Sequence, residues 1–115
     1  MTLDQLIERF VQIALAQDDA ILDDRYSEFN RLYDRMLDVD RELRARGIEA
    51  RLELLRLYDH PNIQVRLKAA TSTLGVAPKE GRRLLESIAA SQHYPQAADA
   101  GMLVDGLDDG TFRPT

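Results

Sequence analysis

The chain has 115 residues, a formal net charge of −5 and no cysteine. This length predicts a single domain, residues 1–115, and the lack of cysteine excludes disulfides, thiolate zinc sites and a cysteine nucleophile. No apolar run approaches the roughly 20 residues of a membrane span, and the first residues include acids rather than a basic leader. These features predict a cytoplasmic protein.

The charges are unevenly distributed along the chain. Residues 18–42 hold nine acids and four arginines, whereas residues 43–92 hold nine bases and five acids. The overall acidity disfavours nonspecific binding to nucleic acid, and the asymmetry is compatible with a charged partner.

The first half of the chain predicts two helices. Thr2 and Gln5 form a capping-box sequence that opens a helix over about Leu3–Ala16. Apolar residues then recur at helical spacing over about Asp19–Arg46, which predicts a second and longer helix. Its predicted core stripe begins at Leu22 and is widened by Tyr26 and Tyr33. Gly47 offers a left-handed cap behind it, and Ile48 is placed for the apolar contact that usually accompanies such a cap.

The second half predicts four shorter helices with local end signals. Asn62 is a favourable N-cap, Pro78 suits a first helical position, and Pro95 opens the last helix. Gly101 and Gly106 weaken that helix or allow a close neighbour. The predicted helices are Glu49–Tyr58, Ile63–Leu74, Pro78–Ala90 and Gln96–Leu107.

One stretch, LLRLYDHPNIQVRLKAATSTLG at 54–75, resembles a HEAT or armadillo-type repeat. An apolar helix ends in an Asp/Pro/Asn turn, and the next helix opens with Val-Arg and carries paired alanines that permit close packing. The resemblance implies a structural pair between Arg66 and Asp59. A weaker second copy follows over residues 84–107.

The whole chain is similar to a small uncharacterised bacterial family of helical domains of unknown function. The shared features are the long second helix with Asn30-Arg31-Leu32, the Leu-Leu, Pro-Asn, Val-Arg and Ala-Ala series, and a Gly-containing tail. The resemblance implies a fold but no activity, so it transfers no catalytic residues.

The predicted fold class is therefore all-α, either an antiparallel helical bundle or a short HEAT-like (ARM-type) superhelix of five to six helices. Residues 1–47 would form an N-terminal hairpin, residues 48–107 the repeats and residues 108–115 a tail. Phe112 in that tail is placed to fold back onto the core.

Candidate chemistry is sparse. His60 and His93 are the only histidines, and without cysteine they make a metal site improbable on ligand grounds. The aspartate pairs at 18–19 and 23–24 lie at a predicted helix start, where a solvated face or a partner-binding face explains them better than a catalytic dyad. We expect no enzyme activity, no metal and no cofactor.

The preferred interpretation is a noncatalytic module that binds a basic protein, as an adaptor or as an immunity- or antitoxin-like protein. The acidic face of the second helix is the expected contact, and its residues are Asp23, Asp24, Glu28, Asp34 and Asp38. Structural roles are expected for Asn30, which must hydrogen-bond if it is buried, and for Asp59, Asn62 and Arg66.

Three alternatives remain open. A nucleic-acid-binding repeat protein would use the central bases, which are Arg44, Arg46, Arg51, Arg56, Arg66, Lys68, Lys79, Arg82 and Arg83. A homodimer would form through helix two, by way of Phe29 or Met36. A small-ligand role would require a cavity near Asn30 and Tyr33.

Overall fold

The computed structural model describes all 115 residues, and helices are its only regular secondary structure. The α-helices are α1 Leu3–Leu22, α2 Tyr26–Ala45, α3 Ile48–Leu52, α4 Ile63–Thr73, α5 Pro78–Ala90 and α6 Gln96–Asp109, with a 3₁₀ helix at Glu53–Leu57. The all-α class is confirmed. The chain divides into two compact units, Met1–Glu53 (unit 1) and Leu54–Thr115 (unit 2).

The turn between the first two helices lies later than predicted. α1 continues past Ala16 to Leu22, and α2 begins at Tyr26 rather than at Asp19. No Gly or Pro interrupts residues 16–22, and the extension buries Gln17 and Ala20 on the face that already carries Ile13. Helix continuation is therefore favoured over a break at Gln17.

Unit 1 is held together by two apolar stripes. Leu6, Ile7, Phe10, Ile13 and Ala14 are buried on α1, and Leu32, Met36, Val39 and Leu43 are buried on α2. The prediction that the stripe of helix two includes tyrosines is wrong, because Tyr26 and Tyr33 are exposed. They lie on a different side of α2 from the stripe that faces the core.

α3 begins after Gly47, whose φ of 102° lies in the region that favours glycine. The third predicted helix is divided into α3 and the 3₁₀ helix. Ile48, expected to make an apolar contact behind the glycine, is instead exposed.

Unit 2 follows the predicted end signals closely. The side-chain oxygen of Asn62 accepts hydrogen bonds from the backbone amides of Gln64 (2.9 Å) and Val65 (3.1 Å), so it forms the expected N-cap of α4. Pro78 is the first residue of α5. The apolar core comprises Ile63, Leu67, Ala70, Leu74, Leu85, Ile88 and Ala100.

The predicted contact of the tail is confirmed. Phe112 packs against the core of unit 2, and its backbone amide donates to the carbonyl oxygen of Gly106 (3.0 Å). A Cβ atom on Gly106 would lie 2.9 Å from the Cβ of Phe112, whereas one on Gly101 would meet nothing within 4 Å. The two glycines of α6 therefore differ in role, and only Gly106 permits a close approach.

Unit 2 also contains polar side chains in its interior. Gln96 donates to Gln64 through a buried amide–amide hydrogen bond of 3.0 Å between α6 and α4. Half-buried Lys68 also faces Asp99, which is exposed, across the same two helices, and desolvation lowers the pKa of the amine and raises that of the carboxyl group.

Two of the expected structural roles are not observed. The predicted pair between Arg66 and Asp59 is not formed, because the Arg66 guanidinium donates instead to the carbonyl oxygen of His60 (2.6 Å). Asn30 is exposed rather than buried, because it lies on the side of α2 that carries Tyr26 and Tyr33.

Candidate interaction surface at the hairpin tip

The turn between α1 and α2 is closed by the backbone. The amide of Arg25 donates to the carbonyl oxygen of Ala20 (2.9 Å), and the amide of Asp23 donates to that of Asp19 (3.2 Å). Asp24 has a φ of 55°, a left-handed conformation that aspartate tolerates better than most residues. We call residues 18–28 the hairpin tip.

The hairpin tip is strongly acidic. It contains one arginine, Arg25, and five acids, which are Asp18, Asp19, Asp23, Asp24 and Glu28. Its formal net charge is therefore −4. Residues 29–45, the remainder of α2, contain four acids and four arginines, so their formal charges cancel. The acidic surface is thus a property of the tip rather than of the whole helix.

Arg25 holds this cluster in place. Its guanidinium pairs with Asp19 (2.9 Å) and Asp23 (3.5 Å) and also contacts Glu28. One cation thereby links the end of α1, the turn and the start of α2. Each exposed pair contributes little alone, but a shared cation reduces the mutual repulsion of the acids and fixes their positions.

Two large apolar side chains project beside these acids. Leu22 is 74% exposed and Tyr26 is 71% exposed, and the Tyr26 hydroxyl donates to Asp24 (3.2 Å). An open cavity of about 460 Å³ lies at this place, lined by Asp24, Arg25, Tyr26, Ser27, Glu28 and Arg31. The tip thus combines negative charge with apolar surface.

The structure separates the five predicted partner-binding residues into two groups. Asp23, Asp24 and Glu28 lie at the hairpin tip, and the assignment of the first two to a helix face needs correction because they belong to the turn. Asp34 and Asp38 lie farther along α2, where Asp38 pairs with Arg41 (3.2 Å).

The central bases of unit 1 are occupied by contacts within the chain. Arg44 pairs with Asp40 (2.8 Å), and Arg46 pairs with Glu42 (3.1 Å). Arg51 is buried, and both this burial and the nearby Arg44 lower the pKa of its guanidinium.

Those of unit 2 are similarly engaged. Arg82 pairs with Asp108 (2.8 Å), Arg66 binds a backbone carbonyl, and Lys68 faces Asp99. Lys79 and Arg83 are exposed. Several of the central bases thus make contacts within the chain.

No group of three or more His, Cys, Asp or Glu side chains is placed to hold a metal ion. None of the helices combines the length and the apolar character of a membrane span.

Sequence reasoning did not find the apolar part of the tip. Leu22 and Tyr26 are four residues apart and continue the helical spacing of the apolar stripe, so they were assigned to the core. The available signal was the run ILDDRYSE, residues 21–28, in which charged residues surround both side chains.

The fold and this surface together define an all-helical protein with an acidic helical hairpin. A family model described as "Domain of unknown function (DUF2019)" matches residues 4–108, and the chain belongs to this family.

The chain is also similar to a solved structure, the crystal structure of the protein RPA1889 from Rhodopseudomonas palustris CGA009. The two share 49% identity with a TM-score of 0.96, over 100% of this chain and 95% of that one. No curated protein matches the chain.

Proposed function

We propose that the protein is a noncatalytic interaction module of the bacterial cytoplasm and that its hairpin tip binds a basic protein. One observation carries this proposal: the tip joins a formal charge of −4 to the exposed side chains of Leu22 and Tyr26. A surface that carries only solvating charge would not need to expose two large apolar groups beside it.

The two components of the tip would act differently in binding. The carboxylates attract and orient a cationic partner, which raises the association rate more than the final affinity. Tyr26 and Leu22 supply apolar area that a partner can cover, and tyrosine is a frequent anchor of protein interfaces.

Arg25 contributes by preorganising the tip. Because it pairs with Asp19, Asp23 and Glu28 in the free protein, these carboxylates are already ordered before a partner arrives. Groups ordered in advance lose less conformational entropy on binding. Asp24 is not paired with Arg25, and its carboxylate accepts from the Tyr26 hydroxyl, so a partner that covers Tyr26 would also meet this carboxylate.

Two finer assignments belong to the same proposal. An immunity- or antitoxin-like protein, or an adaptor, would use such a tip to mask or recruit a basic protein. Unit 2 would be a short HEAT-like element, which is supported by the Asn62-capped turn before α4 and by the fully buried alanines 69 and 70.

The test compares two matched pairs of substitutions. Tagged wild-type protein, Asp23→Asn/Asp24→Asn at the tip and Asp34→Asn/Asp38→Asn on α2 are used for co-purification from bacterial lysate at low and moderate salt. Asparagine preserves side-chain shape and tolerates the left-handed conformation of residue 24. Circular dichroism confirms that both variants fold.

We expect one stoichiometric basic protein that is lost at moderate salt and by the tip variant but is retained by the α2 variant. Retention by the tip variant would reject the proposal. Loss of the partner by the α2 variant alone would indicate that the face of α2 is the contact instead. Nucleic acid in the eluate would favour the central bases.

A further inference from the structure

A second cavity of unit 1 lies away from the hairpin tip. It has a volume of about 410 Å³ and is lined by Arg9 and Ile13 of α1 and by Arg35 and Asp38 of α2. Small-molecule sites in proteins commonly begin at about 300 Å³ and combine apolar walls with a few polar groups. In this cavity Ile13 supplies the apolar surface and the three charged side chains supply the polar groups.

The arginines of the cavity differ from most arginines of unit 1. Arg25, Arg41, Arg44 and Arg46 each pair with a carboxylate of the chain. Arg9 and Arg35 form no ion pair and no hydrogen bond within the chain.

The one carboxylate that lines the cavity pairs with neither Arg9 nor Arg35. Asp38 lies three residues after Arg35, at a spacing that permits an ion pair, but its carboxylate accepts instead from Nη1 of Arg41 (3.2 Å). Two guanidinium groups from different helices therefore line one cavity, and neither forms an ion pair with a carboxylate of the chain.

From these observations we propose that the cavity between α1 and α2 binds a small organic oxyanion, a carboxylate or a phosphate ester with an apolar body. Guanidinium groups match both kinds of oxyanion because they donate two parallel hydrogen bonds. Ile13, which lines the cavity and is buried, would contact the apolar body. The Asp38 carboxylate disfavours ligands of high negative charge.

This proposal is independent of the hairpin tip. It uses none of residues 18–28, and a failure of the co-purification would not affect it. Conversely, the tip could bind a protein whether or not this cavity holds a ligand.

The experiment titrates the full chain with three probes at constant ionic strength. Benzoate, phenyl phosphate and inorganic phosphate are added to ¹⁵N-labelled protein, and amide shifts are followed. The variants are Arg9→Gln and Arg35→Gln. Arg31→Gln is the matched control, because Arg31 also lies on α2, is exposed and forms no ion pair, but does not line this cavity.

We expect saturable binding of benzoate or phenyl phosphate with a Kd of about 1 mM or tighter, weakened about tenfold or more by each cavity variant. The control should bind as the wild type does. Thermal unfolding of the variants should match that of the wild type, because neither arginine bonds within the chain.

Three results would overturn the proposal. They are shifts that do not saturate, equal weakening by Arg31→Gln, and inorganic phosphate binding as tightly as phenyl phosphate. Benzoate and phenyl phosphate distinguish the two kinds of oxyanion. Tighter binding of benzoate would assign a carboxylate ligand, and tighter binding of phenyl phosphate would assign a phosphate ester.

Discussion

The two units of this chain solve the same packing problem with different residues. Unit 1 pairs two long helices through large apolar side chains, with Phe10 at the centre of its core. Unit 2 packs three shorter helices through leucines and isoleucines together with small buried residues, Ala70, Ala100 and Gly81, that let the helices approach closely. Large side chains tolerate loss of volume poorly, whereas small ones tolerate addition poorly. The units should therefore fail under opposite substitutions.

The largest effect is expected from removing volume in unit 1. Phe10 is fully buried and is the one aromatic ring at the centre of that core. Phe10→Ala should lower the free energy of unfolding by about 3–5 kcal/mol through lost burial and the cavity that remains. Urea denaturation followed by circular dichroism measures it. A loss below about 1 kcal/mol would show that the core of unit 1 does not depend on this ring.

The opposite change is expected to damage unit 2. Gly106→Ala places a Cβ atom 2.9 Å from the Cβ of Phe112, a rigid first side-chain atom, so the tail must shift or α6 must move. We expect a loss of about 1–3 kcal/mol, offset in part by the better helix propensity of alanine.

The control lies in the same helix. Gly101→Ala meets no atom within 4 Å, so it should gain up to about 1 kcal/mol of stability from propensity alone. We expect the two substitutions to change the free energy of unfolding in opposite directions. Equal effects would mean that Phe112 does not require the missing Cβ atom.

The units also differ in how much of them the sequence predicts. Pro78 and Pro95 fix their own backbone, and Asn62 caps amides two and three residues further on, so the sequence predicts the starts of α4, α5 and α6 within a residue. The turn of unit 1 carries no such residue. Asp24 adopts a left-handed conformation there, and a backbone bond from Arg25 closes the turn.

This difference explains why the composition of the hairpin tip was not foreseen. The predicted break near Gln17 places all the later acids on one helix. In the structure, Asp19 lies in the last turn of α1 and Glu28 lies in the first turn of α2, and only the later turn brings both to Arg25. A sequence pattern shows that these acids are near one another along the chain. It does not show which basic side chain they share in the folded protein.

A smaller effect is expected from removing Arg25, the cation that the acids of the hairpin tip share. Arg25→Gln leaves the five acids of the hairpin tip without a cation, and we expect a loss of about 1 kcal/mol that shrinks as salt is added. Arg41→Gln removes a single exposed pair with Asp38 and should cost less. Thermal unfolding at low and high salt measures both. A loss for Arg25→Gln that is independent of salt would indicate that packing, not charge, accounts for it.

The smallest expected effect concerns the charged groups between α4 and α6. Burial lowers the pKa of the Lys68 amine below its ordinary 10.5, so the folded state releases this proton at lower pH than the unfolded state. The unfolded state then binds more protons in the window below 10.5, and the contribution of Lys68 to stability rises with pH there. Asp99 has the opposite shift, since partial desolvation raises its pKa, and its unfavourable contribution is relieved as pH falls toward 3.8.

Lys68→Met isolates the lysine contribution. Across the alkaline window, the wild type should gain stability relative to this variant, because only the wild type carries the amine with the lowered pKa. Lys79→Met is the matched control for the loss of a lysine, since Lys79 is exposed on the first turn of α5. Urea titrations at a series of alkaline pH values provide the comparison. A difference for Lys68→Met that changes no more with pH than that of the control would mean that the Lys68 amine remains solvated between α4 and α6 in the folded protein.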